Sequence, residues 1–154
     1  MSTGAELAAR IRAQGDHLLR LLASIDETAW TRRADADAWT AAEVTGHVIE
    51  MLPYWSAKGA LLRSDPNAPY GRELDDPDRL AGPGLGEAFG LGEARRRVAE
   101  EVASAATFLE SLTAAELATP ITHADGTPET IGIMVERAMA THLEGHVSQL
   151  RELV

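Results

Sequence analysis

Leu7, Ile11, Leu18, Leu22 and Ile25 recur at steps of three, four and seven, so a helix of 3.6 residues per turn gathers them on one side. The spacing predicts a first amphipathic helix from Ala5 to about Ile25. Asp26 to Trp39 is polar, Asp-rich and interrupted by Arg32-Arg33, which predicts a connection that brings Trp39 to the mouth of the next helix. There Thr40-Ala-Ala-Glu43 has capping-box spacing: the hydroxyl can accept from the Glu43 N–H while the carboxylate reaches back to the Thr40 N–H. A second helix starts at this point, with Val44, His47, Met51, Tyr54 and Leu61 on its inner face. Pro53 removes one backbone donor about a turn beyond His47 and can kink the helix there.

Asp65 to about Gly86 holds four of the chain's seven prolines, several glycines and the acidic run Glu73 to Asp78. That composition resists regular structure, so a long crossover loop is expected, of a kind that covers a site or links parallel neighbours in a bundle. The acidic run lacks the spacing of a calcium-binding EF-hand loop. From about Glu87 to Leu112, Leu91, Val98, Val102, Ala105, Phe108, Leu109 and Leu112 make a third apolar stripe, with Arg95-Arg96-Arg97 facing outward. Thr113 to Glu116 allows one short turn, and Asp125-Gly126 marks a tight turn near His123. Thr127-Pro128-Glu129 then offers an N-cap, a proline at the first helical position and a favourable acid, so a fourth helix is expected from there to about Leu153. Four amphipathic helices and no convincing strand predict an all-α four-helix bundle with a long crossover between helices two and three.

The 154 residues and 45% apolar share suit one domain over residues 1–154. Lys and Arg total 14 against 24 Asp and Glu, a net charge of -10 that repels phosphate backbones and acidic lipid surfaces, so nucleic acid and membrane are not expected partners. The amino terminus lacks the apolar stretch of a signal peptide, and no later run approaches membrane-spanning length. A cytoplasmic protein is expected. Cysteine is absent, which excludes disulfides, thiolate metal ligands and a cysteine nucleophile; any thiol chemistry must borrow its thiol.

Chemistry concentrates in Ala140-Thr-His-Leu-Glu-Gly-His-Val-Ser-Gln-Leu-Arg151. His142 and His146 stand four apart on a helix and share a face, as a chelating pair requires. Ile131, Val135 and Ala138 lie on that face as well, so the imidazoles border the apolar stripe, where unpartnered polar groups are costly. Three protein ligands are usual before a position is left open, and His47 on the inner face of the second helix is the third candidate. The competing reading is a hydrogen-bonded histidine cluster. Leu143 stands where a zinc protease carries glutamate and Glu144 points elsewhere, which disfavours a protease. Glu50 and Gln149 are spaced to orient ligands or to be ordinary polar residues. Tyr54 reads first as a boundary tyrosine, Trp30 and Trp55 as packing residues, and His17 and His123 as lying outside the site.

Trp39-Thr-Ala-Ala-Glu-Val-Thr-Gly-His47, the long central connection, the stretch Gly126 to Thr130 and the terminal His-x-x-x-His-x-x-Gln-Leu together resemble the DinB-like superfamily over nearly the whole chain. The resemblance implies a four-helix bundle in which one histidine of helix two and two of helix four, here His47, His142 and His146, converge on a divalent metal, often zinc or nickel. It also implies enzymes that use low-molecular-weight thiols such as mycothiol, a small-molecule substrate and a homodimer. The expected function is thus a metal-dependent thiol S-transferase or isomerase in which the ion lowers the pKa of a cosubstrate thiol. The alternative is a non-catalytic bundle that binds a small ligand or a protein, with a structural metal or none.

Overall fold

Four long helical rods form the fold in the computed structural model, which describes residues 1–154. Helix α1 (Gly4–Ala23) opens on a capping box between Thr3 and Glu6 and buries Leu7, Ile11, Leu18 and Leu22. A short helix α2 (Glu27–Thr31), capped by Asp26, lies within the expected connection and buries Trp30. Helix α3 (Ala41–Ser64) begins at the expected box: the Thr40 N–H donates to Glu43 Oε2 at 2.7 Å and the Glu43 N–H to Thr40 Oγ1 at 3.1 Å. It continues through Pro53 to Ser64. Leu61, expected on the inner face, is exposed, because the helix turns Gly59 and Leu62 inward instead.

The crossover between α3 and the third long rod is less irregular than its composition suggests. Asp76 caps a helical turn, α4 (Pro77–Ala81), and helix α5 (Gly84–Glu110) starts three residues before the expected Glu87. Gly90, at φ +75°, breaks the helical geometry inside α5, a backbone state that L side chains rarely adopt. After α6 (Ala114–Leu117), with its own Thr113–Glu116 box, strands β1 (Pro120–Thr122) and β2 (Pro128–Thr130) pair antiparallel, Ile121 opposite Glu129. The Asp125-Gly126 turn therefore closes a small hairpin.

This hairpin displaces the start of the last rod. Thr127-Pro128-Glu129 has the chemistry of a helix start, yet Pro128–Thr130 is held as strand and the Ile131 N–H donates to the Thr119 carbonyl at 3.1 Å. Thr130 becomes the cap, accepting from the Ile133 N–H, and α7 (Ile131–Val135) follows. A π-helical turn over Glu136–Thr141 leads into α8 (His142–Leu153). The turn buries Ala138, Met139 and Ala140 in succession, a wider apolar face than an α-helical turn presents.

The four rods α1, α3, α5 and α7–α8 enclose one continuous core of 36 residues that includes Leu52, Val98, Leu109, Met134 and Leu143. α5 packs along both α3 and α1, while α8 lies against α1 and α3. No helix is long and apolar enough to cross a membrane.

Candidate metal centre

The capping box that fixes where α3 begins also fixes its phase, and that phase turns His47, in the second turn, toward the interior. α8 brings His142 and His146 one turn apart on the facing side, directly after the π-helical turn. The end of the crossover closes over this end of α3 through backbone contact. A Cβ at Gly86 would lie 1.9 Å from the Ala42 carbonyl oxygen, and one at Gly46 would lie 2.6 Å from the carbonyl oxygens of Gly82 and Pro83. Only glycine permits so close an approach beside His47.

The three imidazoles meet. His47 Nε2 lies 3.4 Å from His142 Nε2, and one nitrogen from each of His47, His142 and His146 falls within 4.8 Å of the others. His47 is buried and the other two are half-buried. His146 Nδ1 donates to Gln149 Oε1 at 2.9 Å, which leaves the lone pair on Nε2. That Nε2 is buried without a protein partner. Trp39 lies parallel to the His146 ring with centroids 6.2 Å apart and turns edge-on to His47 at 5.5 Å, shielding the cluster on one side.

Burial drives the cluster toward its neutral form. It holds His47 down to about 3, reinforced by the neighbouring imidazoles His146 and His142 and then by Arg79 and Arg72. His142 falls to about 4, through burial first and then His146, against a backbone hydrogen bond at Ala138 that favours its protonated form. His146 is lowered by burial and raised again in part by Gln149. Neutral imidazoles are the form that binds metal. Two nitrogens held about 2.0–2.1 Å from a tetrahedral ion stand roughly 3.4 Å apart, which is the His47–His142 separation. With a lone pair on His146 Nε2 and no sulfur or carboxylate in the set, the residues fit a divalent ion of the zinc or nickel kind.

Around these rings the polar residues divide. Gln149 orients His146 directly. Glu50 Oε2 is 3.9 Å from His47 Nδ1, too far for a hydrogen bond, and His47 Nδ1 has no partner. The Glu50 carboxylate instead receives both ends of the Arg72 guanidinium, which also donates to Asp76 at 2.9 Å. Arg72 and Glu50 are nearly closed to solvent, at 5% and 10% exposure. Tyr54 serves this pair rather than the histidines: Arg72 stacks 3.8 Å above its ring and its hydroxyl donates to the Gly71 carbonyl. Glu144 pairs with Arg10, His17 sits beside Arg151, and His123 pairs with Asp125, all away from the cluster.

Trp39, Arg72 and Arg79 are the neighbours that sequence reasoning did not place. Trp39 was readable as a residue at a helix mouth, but its stacking on His146 depends on the packing of α8 against α3. A cavity of about 300 Å³ lined by Trp39, His47, Arg79, Leu80 and Pro83 opens beside the cluster.

A family model described as the DinB superfamily matches residues 10–150. Curated proteins provide no match. Among solved structures, a mycothiol-dependent maleylpyruvate isomerase is similar at 14% identity and a TM-score of 0.74, over 97% of this chain and 63% of that one, so the chain spans less than two thirds of the isomerase. An uncharacterised protein from Clostridium difficile 630 is similar at 15% identity and a TM-score of 0.70, over 99% of this chain and 95% of that one. A Streptococcus pneumoniae protein is similar at 15% identity and a TM-score of 0.72, over 99% of this chain and 90% of that one. Likeness at such identities is one of fold.

Proposed function

The chain belongs to the DinB superfamily, and on that premise we propose that it is a divalent-metal-dependent enzyme acting on a small molecule as a thiol S-transferase or thiol-assisted isomerase. His47, His142 and His146 would hold the metal, with zinc or nickel the ions this donor set suits best. A divalent ion held by neutral ligands keeps its full charge and lowers the pKa of a thiol or water brought to it. The observation that carries the reading is the convergence of three imidazoles, one buried and two half-buried, with the lone pair of His146 Nε2 unclaimed by any protein group.

The chain's own residues prepare the site. Gln149 fixes the tautomer of His146, as partners of metal-binding histidines do. Trp39 covers one side of the cluster and also lines the cavity beside His47, which gives a small molecule access. Cysteine is absent, so the thiol is a cosubstrate; mycothiol is suggested by the solved structure of a mycothiol-dependent isomerase with a similar fold. The single continuous core supports reading residues 1–154 as one domain.

One observation favours a second reading. The isomerase is longer than this chain, which spans 63% of it. Any residues that its reaction draws from the remainder lie outside the part these 154 residues match, and a non-catalytic bundle that binds a small ligand at the same histidines would need none of them.

Elemental analysis of untagged protein and of His47→Ala, followed by incubation of the metal-loaded protein with thiols and electrophiles under mass spectrometry, tests the proposal. Metal bound by the wild type, lost in the variant with helicity retained, together with thiol adducts that depend on the metal, is the expected result. A wild type that binds no zinc or nickel overturns the enzyme reading. Bound metal without any adduct favours the binding module.

A further inference from the structure

Arg79 is the only charged residue lining the cavity beside His47. Its backbone is fixed, because its N–H donates to Asp76 Oδ1 at 2.8 Å at the start of α4. Its guanidinium is anchored on one edge, where Nη1 donates to the Leu74 carbonyl at 2.7 Å. A carbonyl positions a guanidinium without neutralising it.

No carboxylate pairs with Arg79, although Glu73, Asp75, Asp76 and Asp78 all lie within six residues of it and the chain carries a net charge of -10. Arg72, seven residues earlier on the same crossover, shows the contrast: it is nearly closed to solvent, and Glu50 and Asp76 already meet its charge. Arg79 is half-buried beside His47, an imidazole that carries no negative charge to balance its own. A guanidinium in this state offers its remaining N–H groups as a fork that matches a carboxylate in shape and charge.

The rest of the cavity wall is apolar. Trp39, Pro83 and Leu80 line the space, and Leu80 is 63% exposed. One cavity is thus lined by a cation, by apolar surface and by a histidine of the cluster, a combination that suits a small amphiphilic molecule. Resting on the reading of the cluster as the functional site, we infer that the substrate carries a carboxylate, which Arg79 binds while the hydrocarbon part lies against Trp39, Leu80 and Pro83. One guanidinium with an edge already committed suits a single negative charge; a phosphate dianion calls for more donors than this wall provides.

Benzoate and its neutral isostere benzamide test the assignment, titrated by ligand-observed NMR into the full-length wild type, Arg79→Gln and Arg79→Lys, each zinc-loaded and metal-free. Benzoate is expected to bind the wild type about tenfold more tightly than benzamide in both metal states, with a preference that weakens in high salt. Arg79→Gln removes that preference at unchanged zinc content, and Arg79→Lys keeps part of it. Equal binding of the two ligands by the wild type overturns the inference without recourse to any variant, as does a preference that survives in folded Arg79→Gln, or tighter binding of phenyl phosphate than of benzoate. An Arg79-dependent preference in a protein that takes up no zinc or nickel sinks the metal reading and sustains this one. Metal binding without the preference does the reverse.

Discussion

His47 Nε2 and His142 Nε2 lie 3.4 Å apart although 95 positions separate them in the chain. Two neutral rings at that distance make at best a weak hydrogen bond, yet their nitrogens are spaced as two ligands of one tetrahedral ion. The bundle thus holds the pair in a geometry whose best use is a shared guest.

The hydrogen bond from His146 to Gln149 provides the first test. Gln149→Leu removes the acceptor that fixes the His146 tautomer without touching any ring of the cluster. Metal affinity is expected to fall about 10- to 100-fold, with helicity unchanged, as read by competition against a chromophoric chelator. Unchanged affinity would mean that the tautomer is set by something else.

The depressed histidines predict a direction for acid sensitivity in metal-free protein. With folded values of about 3 for His47 and about 4 for His142 against 6.5 in the unfolded chain, the unfolded state takes up protons that the folded state refuses. Stability is therefore full above about pH 6.5 and lost as pH falls toward 4 and then 3, by up to about 1.4 kcal/mol per pH unit for each ring. Urea midpoints between about pH 7 and 4.5 should fall less steeply in His47→Gln than in the wild type. Parallel slopes would show that His47 does not carry the effect.

Arg72→Met strands the Glu50 carboxylate, which is nearly closed to solvent. Breaking a buried pair from one side costs about 3–5 kcal/mol. It also leaves a negative charge 3.9 Å from His47 Nδ1 and removes a positive one, so the His47 value should move upward from about 3. NMR titration of the metal-free variant reads that shift directly. A destabilised variant with an unmoved His47 would confine Arg72 to a structural role.

Gly86→Ala places a methyl group 1.9 Å from the Ala42 carbonyl oxygen, where backbone on both sides leaves no flexible neighbour to yield. The expected loss is about 3 kcal/mol or more, seen as a lower urea midpoint with the same slope. Gly92→Ala, in the same helix, meets no atom within 4 Å and should retain full stability.

Locally written features were legible in the sequence. Thr40 and Glu43 lie three apart and need no other part of the chain to cap α3, so both the helix start and the inward phase of His47 could be read from spacing. The four helical stripes and the shared face of His142 and His146 were equally local. Features decided by distant partners were not. Thr127-Pro128-Glu129 has good helix-start chemistry, yet pairing with Pro120–Thr122 and the bond from Ile131 to Thr119 draw it into a strand. Glu50 stands one turn from His47 as an orienting residue would, but Arg72, brought back by the crossover, takes its carboxylate. No periodicity marks Trp39 as a cover for the histidines.

The wide turn over Glu136–Thr141 makes the last rod a splice of two segments rather than one continuous shaft. A surplus residue absorbed there leaves the segments before and after it each facing the bundle. Removing one residue from Ala138–Ala140 should therefore narrow the turn to ordinary pitch while His142 and His146 keep their aim. The same deletion between the two histidines would swing His146 by roughly 100° and separate the rings. The chain thus has a joint where its length can be edited next to a stretch where it cannot.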